Sequence, residues 1–176
     1  MGPALRRLFF GLGVFLGVVA PQVAPELTAR PYREAAEVFV NAEVAGAFGE
    51  TALELAQAGN RVALRVEARA GSSPGTVAMG YLRRDAASGA WAVLAPGGDG
   101  AERRLQSREA ALVLATRVWG LRAGPLSALG GGGSVRVRAS VGILDESGAW
   151  HDAAILWGYA APELRFDYAD AEEVPY

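Results

Sequence analysis

The sequence predicts an α+β domain, in which a mainly antiparallel β-sheet carries two packed helices and follows an N-terminal hydrophobic export segment. Three observations lead to this fold class. Several segments alternate apolar and polar residues with a period of two, and two others repeat apolar residues at helical spacing. Short turns rich in Gly, Ser and Asp join successive strands. Strands joined by such turns pair as hairpins, so the sheet is predicted to be mainly antiparallel.

The composition limits the classes of protein to consider. The chain has 176 residues, 51% of them hydrophobic, and a net charge of −2, which suits one globular domain and excludes a largely disordered chain. The absence of Cys and the presence of one His exclude disulfide scaffolds, zinc fingers, Cys nucleophiles and multi-His metal centres. The near-balanced charge gives no reason to expect nucleic-acid binding.

The first segment resembles an export signal. Arg6 and Arg7 precede residues 8–20, which carry no charge. A core of thirteen residues suits a secretory signal peptide and is shorter than the roughly 20 residues of a membrane-spanning helix.

Two interpretations of residues 1–24 therefore stay open: a cleaved signal peptide, or a single membrane anchor. Pro21 and Pro25 disfavour cleavage just before them, and Gly13 and Gly17 have the spacing of a helix-pairing motif. An ordinary buried helix is a third, less favoured interpretation. Both leading interpretations place the body outside the cytoplasm, in the periplasm or on the outward side of the inner membrane. An uncleaved segment would contact the membrane through residues 8–20.

The rest of the chain divides into three parts. Residues 25–33 contain two prolines and are predicted to form an extended linker. Residues 34–165 are expected to form the α+β domain, and residues 166–176 an acidic C-terminal tail.

Within the domain, alternation predicts the strands and helical spacing predicts the helices. Ser107 is the expected N-cap of the second helix, because its hydroxyl can accept a bond from the first turn. The predicted elements are a strand at 38–44, a helix at 48–56, strands at 62–69, 76–84 and 91–94, a helix from 108 to Gly120, a loop at 121–133, and strands at 135–143 and 153–159.

Several of these segments together resemble a known family. They are LELAQAGNRVALRVEARA at residues 53–70, YLRR at 81–84, the aliphatic helix at 110–119, GPL at 124–126 and the strand at 134–144. This set is similar to the bacterial family catalogued as domain of unknown function 4390. The resemblance implies a small exported or singly anchored protein without an assigned activity, and it adds no catalytic residue.

No motif predicts catalysis, a cofactor or a metal. Residues 130–133 are four glycines that precede a strand without a Lys, so they lack the context of a phosphate-binding loop. His151 and Asp152 are adjacent on a strand and point to opposite faces, so the carboxylate is poorly placed to orient the ring. The acidic residues of the tail lack the order of a calcium-binding loop.

The polar face of the predicted sheet is the candidate site. Four arginines should point the same way from two strands and present an anion-binding surface: Arg65, Arg69, Arg136 and Arg138. The alternative is that glutamates neutralise them across strands, namely Glu37, Glu43 and Glu67. A second candidate is an aromatic patch near the C-terminus, formed either as core or as a surface for a partner or membrane: Trp150, Trp157 and Tyr159.

These observations favour a non-enzymatic binding module of the cell envelope, with an envelope protein or an anionic surface as its partner, no cofactor and no nucleic acid. The alternative is a carrier of a small anionic or lipidic ligand, in a pocket between the sheet and the helix at 110–119. An enzyme is the third possibility, without a candidate catalytic residue.

Overall fold

The computed structural model describes residues 24–130, 133–153, 156, 161–167 and 172–173. Within them the chain forms eleven strands, two α-helices and a short 3-10 helix. The strands are β1 (Glu26–Glu34), β2 (Glu37–Ala45), β3 (Arg61–Ala70), β4 (Thr76–Arg84), β5 (Trp91–Leu94), β6 (Glu102–Leu105), β7 (Arg117–Pro125), β8 (Ser134–Leu144), β9 (Trp150–Asp152), β10 (Glu163–Asp167) and β11 (Glu172–Glu173). The helices are α1 (Glu50–Gln57), α2 (Arg108–Thr116) and the 3-10 helix at Leu126–Leu129.

The strands form two sheets. The small sheet has the order β11-β1-β2-β7, and the large sheet has the order β10-β8-β3-β4-β5-β6. Strand β9 pairs with the end of β8 that β10 leaves free. Among the described strands, β1 and β11 are parallel and the other pairs are antiparallel. The prediction of a mainly antiparallel α+β fold with two helices is confirmed, whereas its division into two sheets was not predicted.

One hydrophobic core joins the inward faces of both sheets. Val38 and Val40 enter it from β2, Leu64 from β3, and Val137 and Val141 from β8, all without measurable exposure. Most of their sequence neighbours on the same strands are more exposed and include the charged residues, whereas Ala63 and Gly142 are buried as well. The alternation predicted for these three strands is therefore confirmed, because each strand buries one face and presents the other to water.

The helices cover the large sheet. Helix α1 contacts β3 and β4, and α2 contacts β4 and β5. Ser107 caps α2 as predicted, since its Oγ accepts a hydrogen bond from the Ala110 amide at 3.1 Å. The helix ends at Thr116 rather than at Gly120, because the chain from Arg117 onward pairs with β2.

The prediction of a loop at residues 121–133 is wrong for residues 121–125, because β7 continues to Pro125. Two irregularities in the pairing of β7 with β2 explain why the sequence pattern did not predict this strand. Trp119 and Gly120 together face Asn41, and Ala123 is inserted between two paired positions. Each extra residue shifts the period of two, which is the signal that identifies a strand.

Residues 25–33, predicted to form a linker, instead provide most of β1, which pairs with β2 along its whole length. Leu27 and Pro31 are buried on its inward face. Proline is tolerated because β1 lies almost at the edge of the small sheet, where β11 pairs with Tyr32 and Arg33.

The ends of the chain differ from the prediction or lie outside the described residues. The predicted export segment is residues 1–24, and residues 1–23 of it lie outside the described residues. Of the strand predicted at 153–159, Ala153 is outside any strand and Leu156 lies in a helical turn, while the other positions are not described. The predicted tail at 166–176 begins inside β10, and its residues 172–173 pair with β1.

Candidate anion-binding surface

The pairing of β3 with β8 places the four predicted arginines on the outward face of the large sheet. Arg69 lies directly opposite Arg136, and Arg65 lies opposite Ser140. Arg138 lies opposite Glu67. Since adjacent strands are about 4.8 Å apart, these side chains are neighbours. We call Arg65, Arg69, Arg136 and Arg138 the arginine surface.

Strand β10 extends this surface with a residue that sequence reasoning missed. Arg165 lies opposite Arg136, so Arg165, Arg136 and Arg69 form one row across three strands. Glu163 lies opposite Arg138 on the same face. The signal that could have identified β10 is its alternation, in which partly buried Leu164 and Phe166 separate exposed charged residues.

One carboxylate forms an ion pair within the arginine surface. Glu67 lies 3.6 Å from the Arg65 guanidinium, and both side chains are substantially exposed. Within the described part of the chain, Arg69, Arg136 and Arg138 form no ion pair, and neither does Arg165. The row of three arginines therefore forms no ion pair there, although Glu163 and Asp167 flank Arg165 on the same face of β10.

The prediction that Glu37 and Glu43 neutralise the arginine surface is wrong, because both lie on β2 of the small sheet. Glu37 binds Arg122 through two hydrogen bonds of 2.9 Å. Glu43 lies 3.2 Å from Arg117. Their partners are on β7, the neighbouring strand, so both carboxylates are paired within the small sheet.

The other end of the large sheet's outward face also has paired charges. Glu102 accepts a 2.5 Å hydrogen bond from the Tyr81 hydroxyl and lies 3.2 Å from Arg83. Arg61 lies over the Tyr81 ring, 5.5 Å from its centroid. Burial and the hydrogen bond to Glu102 raise the pKa of Tyr81. Arginines on this face thus have partners at one end and, in the row of three, none among the described residues.

Two exposed apolar side chains lie beside the arginine surface on β4. Val77, opposite Glu67, is 47% exposed, and Met79, opposite Arg65, is 38% exposed. Sequence reasoning did not identify them as surface residues. Cationic and apolar side chains consequently share one face on neighbouring strands.

The predicted aromatic patch is described only in part. A side chain at Gly142 would overlap the Trp150 ring, with its Cβ 2.6 Å from Cζ2, so that ring lies on β8 over the outward face of the large sheet. Trp157 and Tyr159 lie outside the described residues. On the small sheet, Trp119 is 67% exposed at the irregularity of β7, a position that sequence reasoning assigned to a helix.

His151 has a carboxylate partner, but not the neighbour in sequence. Its Nε2 lies 3.0 Å from Asp145 across the β8–β9 turn. The Ser147 hydroxyl donates a 2.6 Å bond to the same carboxylate. The His151 ring, followed by the Ser147 hydroxyl, holds the pKa of Asp145 well below its usual 3.8. The Ser147 hydroxyl bonds to the Asp145 carboxylate and not to the His151 imidazole, so the imidazole does not activate that hydroxyl. The three side chains instead stabilise the turn between β8 and β9.

No group of three or more His, Asp or Glu side chains in the described residues is placed to hold a metal ion. Neither described α-helix combines the length and the apolar character needed to cross a bilayer. No family model, curated protein or solved structure matches the chain significantly.

Proposed function

We propose that this chain is a non-enzymatic binding module of the cell envelope, exported or held at the membrane by its N-terminal segment, and that it binds an anionic partner on the arginine surface. The proposal combines the export-like sequence of residues 1–24 with the charges on the large sheet. It keeps the expectation, drawn from the resemblance to domain of unknown function 4390, of a small envelope protein.

The row formed by Arg165, Arg136 and Arg69 is the observation that carries the proposal. Like charges directly opposite each other on neighbouring strands destabilise a sheet. Within the described residues no carboxylate pairs with this row, although carboxylates pair with Arg83 and Arg122 elsewhere on the sheets. An anionic partner would relieve the repulsion and form charge-assisted hydrogen bonds with the guanidinium groups.

The chemistry around the single histidine supports a binding role over an enzymatic one. Asp145 accepts from Ser147 and lies against the His151 ring, so the hydroxyl is held away from the base that would activate it. The cluster lies in a turn between β8 and β9, and its hydrogen bonds satisfy that turn's backbone as well.

The proposed location has its own test. In the native host, the body of the protein should be digested by a protease added outside the inner membrane, since residues 8–20 are expected to direct export. Recovery of the intact full-length chain from the soluble cytoplasm would contradict the location.

Binding is tested with the full chain on an immobilised sulfated polysaccharide, which supplies dense negative charge without a lipid. One variant changes Arg65, Arg69, Arg136 and Arg138 to Ser. The control variant changes four exposed arginines elsewhere to Ser, which alters the net charge equally: Arg30, Arg103, Arg104 and Arg108.

Wild type and the control variant should elute at similar salt concentrations, and the arginine-surface variant at a clearly lower one, because salt screens charge attraction. Circular dichroism and thermal unfolding establish that both variants are folded. Equal elution of the two folded variants would mean that net charge alone governs retention, and the arginine surface would then have no special role.

A further inference from the structure

We infer that the anionic partner is the surface of an anionic lipid bilayer, and that Val77 and Met79 enter its headgroup region beside the arginine surface. This inference rests on the proposed function and specifies its partner. It follows from the apolar side chains on the charged face, from the way the charges are spread, and from the length of the arginine side chains.

The apolar side chains distinguish a bilayer from other anions. Val77 and Met79 alternate with inward residues on β4 and leave 47% and 38% of their surface in water. Register places Met79 opposite Arg65 and Val77 opposite Glu67. A soluble polyanion offers no apolar region for them, whereas the boundary between headgroups and acyl chains receives apolar and cationic groups together.

The charges of this face suit a repeated, planar partner. The outward residues of β10, β8, β3 and β4 extend over three strand spacings, about 14 Å. Arginines on this area outnumber its carboxylates, which are Glu67, Glu163 and Asp167. A single small anion needs donors that converge on one point, whereas these guanidinium groups are spread over three successive rows: Arg69, Arg136 and Arg165 in the first, Arg138 in the second and Arg65 in the third. An array of headgroups can meet each of them.

The arginines and the apolar pair can reach a bilayer at the same time. Arginine has an apolar stem that packs along nonpolar surface while its charged end stays with phosphates and water. Arg65, next to Met79 on the neighbouring strand, is placed for this arrangement. Attraction between basic residues and anionic lipid decays within a Debye length, so the face must lie against the headgroups.

The absence of cysteine makes a site-specific test direct. The full chain is prepared with Val77→Cys or, as a control, Val113→Cys, each labelled with an environment-sensitive nitrobenzoxadiazole dye. Val113 lies on α2 and is 48% exposed, almost the same as Val77 at 47%. Each protein is mixed with phosphatidylcholine vesicles, or with vesicles in which phosphatidylglycerol replaces about a third of the lipid.

The dye at position 77 should brighten and shift to shorter wavelength with the anionic vesicles, and the dye at position 113 should not. Comparing positions 77 and 113 separates this effect from any insertion of residues 8–20, because such insertion holds both dyes on the same chain at the vesicle. Adding the four arginine-surface changes to Val77→Cys should abolish the response, and adding the four control changes should preserve it.

The outcomes separate the two proposals. Suppose that the chain elutes from the polysaccharide as expected, but the dye at position 77 does not respond to anionic vesicles. That result overturns the bilayer proposal and leaves the proposed binding role standing. Equal responses at positions 77 and 113 also overturn it, because the contact would then not involve this face. Failure on both the polysaccharide and the vesicles overturns both proposals.

Discussion

Changing Arg136 to Thr should cost the protein less stability than the same change at Arg138. Arg136 lies between two arginines, Arg69 and Arg165, whereas Arg138 lies between Glu67 and Glu163. Both side chains are exposed and lie on the same face of β8. The two variants lose the same side chain and gain the same β-branched residue, so the difference between them isolates the charges of the neighbours.

The magnitude follows from the register. Charged ends on adjacent strands lie about 7 Å apart when the side chains splay, which gives about 0.6 kcal/mol per pair in water. Screening lowers this to roughly 0.25 kcal/mol at physiological salt and to about 0.5 kcal/mol at 0.01 M. Each arginine has one directly opposite neighbour on each side, and these neighbours have opposite signs in the two variants. The unfolding free energies should therefore differ by at most about 1 kcal/mol at physiological salt and about 2 kcal/mol at low salt, because diagonal charges of the other sign reduce the gap.

Urea unfolding followed by circular dichroism measures this difference, because urea, unlike guanidinium, adds no ionic strength. The gap between the variants should widen as salt is removed and close near 1 M salt, where the Debye length is about 3 Å. If Arg138→Thr is as stable as Arg136→Thr at low salt, the register of β10, β8 and β3, or the charge argument built on it, is incorrect.

Three other substitutions test the fold. Ser73 donates a buried 2.9 Å bond to a carbonyl of β7, so Ser73→Ala should cost about 1–3 kcal/mol, against almost nothing for exposed Ser72→Ala, measured as a difference in melting temperature. Val137 is fully buried, so Val137→Asp should lower the free energy of unfolding in urea by several kcal/mol. Arg138 is exposed, so Arg138→Ala should lower it by about 1 kcal/mol or less. Equal losses would mean that the buried and exposed faces of β8 are exchanged. The pKa of Asp145 is lower in the folded protein than its usual 3.8, so this carboxylate stabilises the fold at neutral pH. That stabilisation is lost as the pH falls through 3.8 toward the folded pKa. Asp145→Asn should therefore flatten this part of the profile of unfolding free energy measured between pH 7 and pH 2.

The elements that sequence reasoning placed correctly are those in which one face is buried without interruption. Every second residue is buried from Val38 to Val44 on β2 and from Val135 to Val141 on β8, so the period alone identifies the strand and its buried face. Ser107 marked the start of α2 for a local reason, because an N-cap depends on residues within one turn.

The elements that were missed depend on contacts distant in sequence. Ala123 breaks the alternation of β7, and its carbonyl is satisfied by Ser73, fifty residues earlier. Pro31 suggested a linker, but pairing with β2 and a nearly free edge make it compatible with β1. Local propensity carries no information about such partners, and the division into two sheets depends on them.

The candidate site was predicted in its members but not in its arrangement. Alternation was sufficient to put Arg65, Arg69, Arg136 and Arg138 on the polar faces of two strands. It could not show that Arg69 meets Arg136, because register is set by the partner strand and the turns. Arg165 was missed for the same reason, since β10 joins the sheet only through its pairing with β8.

Two costly features share the outward face of the large sheet. The row of arginines repels itself, and Val77 and Met79 leave apolar surface in water beside it. Neither feature stabilises the fold, and each could be removed by an exposed substitution without disturbing the core. On the small sheet, by contrast, Glu37 and Glu43 pair with arginines of β7. The arginine row and the exposed apolar pair are independent features, and each makes the fold less stable than it could be. Both have one physical explanation if an anionic and partly apolar partner covers this face when the protein acts.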